Sequence, residues 1–298
     1  MNAHGGRAHH DNTTSLALYD QTAQAAAATV LAKYSTSFGA GTRLLGRTMR
    51  THIRSIYAMV RVADEIVDTY RGEDARAMLD SFEGEVNAAL DSAFSANLVA
   101  HAFALSAKQV GIGRDLTEPF FASMRMDLDT TAHTQASFDR YVYGSAEVIG
   151  EMCLAVFLNS YTGPRETPSE VREGARRLGA AYQKINFLRD LAMDDGELGR
   201  SYFPGVTVAT LDDVTLATLV DDCRADIRAA EACLPALPRR ARIGVTTTID
   251  IYSRLLRRIE RTPAQQLCTT RIRVANPVKA AYALRNACPW VSATRRVA

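Results

Sequence analysis

The chain reads as an all-α protein, a single domain of helices packed as a bundle around a central cavity. Three observations predict this. Apolar residues recur at helical spacing along most of the sequence, and strand-like alternation is nearly absent. Turn signals are few: GIGRDL near 111–116, TGPRETP near 162–168, DDGELGRSYFPG at 194–205 and LPALP at 234–238. Two helical segments carry a thin acidic stripe with apolar residues on both sides, the pattern of a wall that faces an interior space.

The elements follow in order. Residues 16–33 are Ala-rich and have high helix propensity. Residues 50–70 form a helix carrying RVADEIVDTY. Helices are predicted next over 74–93, 96–111, 116–128 and 136–158. The stretch 168–195 carries INFLRDLAMD, and 211–234 and 240–261 complete the set. Arg239, Arg240 and Arg242 read as a solvated helix start. Composition does not shift along the chain, so one domain is expected over 16–290. Polar tails are expected over 1–15 and 291–298, with Trp290 anchoring the second by packing. GIGRDL is not GxGxxG and follows no strand, which excludes a dinucleotide-binding fold by context.

Composition narrows the function classes. Of 298 residues, 47% are hydrophobic and 23% charged, an ordinary globular balance. A net charge of +2 gives no electrostatic case for nucleic acid. Five cysteines without a CxxC argue against a disulfide framework or a zinc site and fit a reducing, cytoplasmic setting. No uninterrupted apolar run reaches the roughly 20 residues a bilayer span needs. The opening MNAHGGRAHHDNTTS has no apolar core, so no signal peptide is expected, and His9 and His10 read as inert.

The stripes carry the chemistry. At about 100° per residue, Tyr57, Arg61, Asp64 and Asp68 fall within about 60° of one another. Ile53, Val60 and Val67 flank them on one side, and Ala58, Val62 and Ile66 on the other. Gln183, Asn186, Asp190 and Asp194 repeat the construction within about 80°. Met193 lies on one side and Phe187 and Leu191 on the other. Four carboxylates aimed into an apolar interior need a positive neutraliser. No histidine lies in either segment, so the ligands are oxygens and a hard divalent ion fits best. Carboxylate-held metal in a greasy cavity suggests chemistry on a diphosphate with an apolar tail. A single such Asp pair is usually solvated surface; two pairs with amide or Arg partners in register are not readily accidental.

The sequence resembles the squalene/phytoene synthase family of head-to-head prenyl synthases from about residue 30 to 285. The carrying segments are YSTSF (34–38), IYAMVRVADEIVD (56–68), YVYGSAEVIGEMC (141–153), YQKINFLRDLAMD (182–194), GRSYFP (199–204) and RIRVANPVK (271–279). Their combination in this order is specific. The resemblance implies the class I isoprenoid synthase bundle. It implies that Asp64, Asp68, Asp190 and Asp194, with Asn186, hold Mg²⁺ (Mn²⁺ being the alternative) on substrate diphosphates. It gives Ser35, Ser37, Phe38, Tyr57, Arg61, Gln183, Arg189, Tyr252, Arg271 and Lys279 to substrate binding. It gives Tyr141 a part in steadying the cation or removing a proton. GRSYFP reads as a flap over the diphosphates.

The implied reaction joins two allylic diphosphates through a cyclopropylcarbinyl diphosphate into a 1–1′ linked chain. YGSAEVIG with QKINFLRDL and LGRSYFPG looks closest to the bacterial phytoene-forming branch. That branch uses two geranylgeranyl diphosphates and no NADPH. The alternatives are squalene or dehydrosqualene formation from farnesyl diphosphate, or a non-catalytic helical assembly factor. Glu147 departs from the family pattern and reads as structurally paired. An insoluble product makes peripheral membrane contact a reasonable expectation.

Overall fold

The computed structural model describes residues 12–70, 72–194 and 199–288. Among them there is no strand, only an isolated bridge between Ala132 and Ser201. The helices are α1 (Asn12–Tyr34), α2 (Ser37–Thr42), α3 (Arg47–Asp64), α4 (Ala75–Asp91), α5 (Leu98–Val110) and α6 (Arg114–Asp129). There follow α7 (Gln135–Val142), α8 (Val148–Asn159), α9 (Ser169–Met193), α10 (Asp213–Cys233), α11 (Arg239–Glu260), α12 (Ala264–Leu267) and α13 (Asn276–Ala287). The long helices stand where periodicity predicts them. The first begins at Asn12, ahead of the expected residue 16. Trp290 lies outside the described residues.

Two departures from regular α-helix matter. α3 runs on as a π-helical segment, Glu65–Tyr70, and α7 and α8 are joined by another, Tyr143–Glu147. The backbone at Asp194 is π-helical as well. Both acidic motifs therefore end in widened turns, a feature frequent at functional sites.

The apolar faces build two cores. The first joins α3, α4, α5, α6 and α8 around Phe103, Phe120, Phe121, Met59 and Met152. The second joins α7, α9, α10 and α11 around Phe187, Leu188, Ile185, Ile249 and the loop residues Tyr202 and Phe203. The Ala-rich α1 lies against α3 and α5, with Ala23, Ala27, Ala58 and Ala102 fully buried between them. Alanine lets these backbones approach closely.

Gln135–Asn159 forms a continuous helical run of 25 residues, long and apolar enough to span a bilayer by length and composition. Asp139, Arg140, Glu147 and Glu151 interrupt it, in keeping with the sequence expectation of no uninterrupted apolar run. Packing accounts for its apolar character, because its Phe138, Val142, Val148 and Met152 serve the two cores and are buried.

α8 and α9 cross with their backbones nearly touching. A Cβ at Gly179 would lie 2.3 Å from the Ala146 carbonyl oxygen, and one at Gly150 would lie 2.2 Å from that of Ala175. Only glycine fits at these crossings. The crossing fixes how α9 presents its acidic end to the rest of the molecule.

Candidate active site

A cavity of about 870 Å³ lies between the two cores. Its walls come from α2, α3, the 143–147 turn, α8, α9, α10, α11 and the stretch 271–279. Twelve of the sequence-predicted residues line it: Ser35, Ser37, Phe38, Tyr57, Arg61, Asp64, Gln183, Asn186, Arg189, Tyr252, Arg271 and Lys279. Segments far apart in sequence thus meet in one space.

The cavity has a polar end and a greasy end. α9 sets the axis: Gln183, Asn186 and Arg189 line one end, and Val171, Gly174, Ala175 and Leu178 the other. The sixteen residue steps from Gly174 to Asp190 span about 24 Å at 1.5 Å per residue. Cys153, Phe157, Leu234 and Leu237 complete the apolar wall.

Acids and bases crowd the polar end. Burial, then the neighbouring Asp68, pushes the Asp64 carboxyl up to about 8, against the pull of Arg61. Burial, then Asp190 and Asp68, pushes Asp194 up to about 7. The Asp68 charge is felt at Asp194, so the two motifs lie near one another across the two helices. Asp68, Asp190 and Asp194 sit at this end without forming part of the cavity wall.

The cations are arranged around the acids. Arg61 pairs with Glu65, stands 3.9 Å from Asp64 and lies over the Tyr34 ring at 4.5 Å. Asp190 is clasped by Arg189 and by Arg271, whose Nε is 2.7 Å away. Lys279 donates to Thr36 Oγ1 at 2.7 Å. Burial, then Arg189 and Arg273, lowers the Lys279 pKa. Positive charge is thus concentrated where an anion would relieve it.

Aromatic rings line the approach. Phe38 stacks on Tyr57 at 5.9 Å, and Tyr252 on Tyr182 at 4.0 Å. Burial raises the Tyr57 hydroxyl to about 12 and raises that of Tyr252.

Three buried polar atoms in this wall have no partner: Asn186 Oδ1, Arg61 Nε and Ser145 Oγ. Buried polar groups are nearly always bonded, so these atoms stand open to a ligand in the cavity. Asn186 Oδ1 is an acceptor, the kind of atom a hard cation or its water takes. Among the described residues no three acidic, His or Cys side chains converge as a ready-made metal cage. Mg²⁺ needs only one or two carboxylates when substrate phosphates supply the other ligands. The oxygen-only donor set, with Asp64 and Asp194 raised by burial and then by neighbouring acids, fits that ion.

Other predicted residues sit differently. Tyr141 is buried outside the cavity wall, and its hydroxyl donates to Asp127 Oδ2 at 2.8 Å. GRSYFP is seated in the second core, with Tyr202 stacked on Phe187 at 4.1 Å and Phe203 buried. That packing by Tyr202 and Phe203 is the packed-loop arrangement, which is compatible with a flap over the site. Glu147 is outside the cavity wall, beside Glu173 and Arg176.

Sequence reasoning missed Asp127, Arg200 and the hydroxyl of Tyr202. Asp127 accepts from both Tyr141 and Tyr202. The available signal was an Asp inside the apolar run of α6 and an Arg six residues beyond the second acidic motif.

Residues 31–277 match the squalene/phytoene synthase family. The presqualene diphosphate synthase of Rhodopseudomonas palustris is 29% identical over 222 residues, covering 68% of this chain and 76% of that protein. The 15-cis-phytoene synthase of Enterobacter agglomerans is 25% identical, covering 74% and 80%. A dehydrosqualene synthase crystallised with a ligand shares the fold with a TM-score of 0.75 at 18% identity, covering 91% of this chain and 97% of that one. The chain belongs to the squalene/phytoene synthase family and is a prenyl-transferring enzyme with its all-α fold.

Proposed function

We propose that this enzyme is a phytoene synthase, joining two geranylgeranyl diphosphates head to head to give phytoene and diphosphate. The single observation that carries this is the cavity itself. A cationic and carboxylate end with three unpartnered polar atoms opens into a long apolar wall. That is the shape of a site for a charged head and a hydrocarbon tail.

Asp64, Asp68, Asn186, Asp190 and Asp194 would hold Mg²⁺, or Mn²⁺, which when bound draws charge from the departing diphosphate. Arg61, Arg189, Arg271 and Lys279 bind the diphosphates and hold the released one so that it does not recombine with the cation. Phe38, Tyr57 and Tyr252 present ring faces that stabilise an allylic cation. The apolar wall excludes water, which would quench it. A final proton loss ends the reaction, and no NADPH is called for.

A second reading has its own support. One relative is named presqualene diphosphate synthase, and the structural neighbours include squalene and dehydrosqualene synthases. In that reading the substrate is farnesyl diphosphate and the product has thirty carbons. A cytoplasmic enzyme touching the membrane at the cavity mouth suits either product. Tyr34, half-exposed, lines the cavity, and α13 carries the exposed Val278 and Leu284.

Product analysis decides between them. Purified enzyme with Mg²⁺ is given the C20 or the C15 diphosphate, with and without NADPH. A C40 conjugated triene from the C20 substrate without NADPH is expected. A C30 product formed in preference would move the enzyme to the second reading.

A further inference from the structure

Arg200 is buried, with 8% of its surface exposed, and touches both acidic motifs. Its Nη1 donates to Asp68 Oδ1 at 2.7 Å. Its Nη2 donates to the Val67 carbonyl at 3.2 Å. Its backbone N–H donates to the Asp194 carbonyl at 2.9 Å. Val67 lies in the π-helical segment that carries Asp68, and Asp194 is itself π-helical. One residue therefore secures a carbonyl in the widened turn of each motif.

A second layer holds Arg200 from behind. Nη1 also reaches Tyr202 Oη at 3.3 Å and stands 3.6 Å from Asp127 Oδ1. Tyr202 donates to Asp127 Oδ1 at 3.1 Å, and Tyr141 donates to Asp127 Oδ2 at 2.8 Å. The neighbouring Ser201 N–H is tied to the Thr131 carbonyl at 2.7 Å. Asp127 is itself buried. Burying a charged pair costs several kcal/mol of lost hydration, and well-packed apolar residues often serve stability as well or better. The arrangement is explained by what it orients. A planar guanidinium delivers two donors at fixed angles, which a lysine cannot.

We propose that Arg200, anchored by Asp127, is a positioning residue that sets the orientation of Asp68 and the gap between Asp68 and Asp194, so that the two motifs share divalent metal across bound diphosphate. The inference rests on the reading of the site as a metal–diphosphate centre. It assigns Arg200 no contact with substrate. It also gives Tyr141 a concrete duty, since its hydroxyl bonds one oxygen of the anchoring carboxylate.

The test reads metal binding apart from turnover. The preformed Mn²⁺–diphosphate complex is titrated into wild type, Arg200→Lys, Arg200→Met and Asp127→Asn, and protein-bound Mn²⁺ is read by equilibrium dialysis. Melting temperatures and the kinetic constants for the prenyl diphosphate are measured alongside. Removing an outer partner of a metal ligand typically costs about 10- to 100-fold in metal affinity or activity. The expected result is that loss in both Arg200 variants, with kcat reduced, the Michaelis constant for prenyl diphosphate little changed, and partial rescue of Arg200→Met by added guanidinium. Asp127→Asn should fall between the variants and wild type. Arg200→Lys keeps charge and volume, so it carries the test if Arg200→Met does not fold. Unchanged Mn²⁺ affinity with a raised Michaelis constant would make Arg200 a substrate contact and overturn the proposal. Wild type that binds no Mn²⁺ with diphosphate would overturn the metal–diphosphate reading itself.

Discussion

Asp64 shows what the site asks of a single residue. Its carboxyl is pushed from 3.8 to about 8 because it is buried beside Asp68. Between those two values the folded chain binds more protons at this group than the unfolded chain. The group's contribution to stability therefore falls as pH rises through that window. In metal-free enzyme, the melting temperature of wild type relative to Asp64→Asn should decline from about pH 6 to about pH 8. Metal requires the deprotonated acid, so the stabilisation by Mg²⁺ with inorganic diphosphate should grow over the same interval. A thermal shift that is equal at both pH values would remove the acid cluster from the metal's ligands. Asp64→Asn or Asp190→Asn should cost several kcal/mol of charge stabilisation, a loss of about 100-fold or more in kcat at constant fold. A steady-state assay beside a circular dichroism spectrum checks this. At this scale the sequence shows the acids and the cations in register. It hides Asp127, Arg200 and Tyr202, because their meaning comes from one another across up to 75 positions of chain.

The helices were largely legible because apolar spacing encodes which face is buried. α2 was not, since six residues with Gly39 and Gly41 carry little helical signal. α13 lay hidden because no residue in it is fully buried, so its pattern is weak. The π-helical turns at 65–70 and 143–147 are invisible to a pattern of period 3.6. The α8–α9 crossing makes a separate prediction. Gly179→Val would drive a side chain into the Ala146 carbonyl, which a real Cβ at 2.3 Å does not permit. Overpacking of this kind costs about 1–3 kcal/mol. A chemical denaturation midpoint should fall accordingly, and activity should fall with it as α9 shifts the second motif. An unchanged midpoint would mean that the crossing yields freely and does not set the acids.

At the scale of the molecule, a cavity lies between two cores, and its length is the remaining determinant. Ala175 lines the apolar end, about 22 Å along α9 from Asp190 at 1.5 Å per residue. Ala175→Phe should shorten the usable space. Its kcat/KM for the C20 diphosphate should fall by about tenfold or more, with the C15 value held, a difference of about 1.4 kcal/mol. Competition between the two substrates reads the ratio directly, and an unchanged ratio would move the tail elsewhere. The all-α class and the shared cavity followed from two stripes and the scarcity of strand patterns. The volume did not, because it depends on side chains drawn from α8, α9, α10 and α11 together. The central claim is that two diphosphates leave for each hydrocarbon formed. Diphosphate release and hydrocarbon should be counted together, from geranylgeranyl diphosphate with Mg²⁺. The account predicts two diphosphates per C40 hydrocarbon, with both signals lost on chelation. Diphosphate released with a C20 alcohol and no C40 product would contradict it.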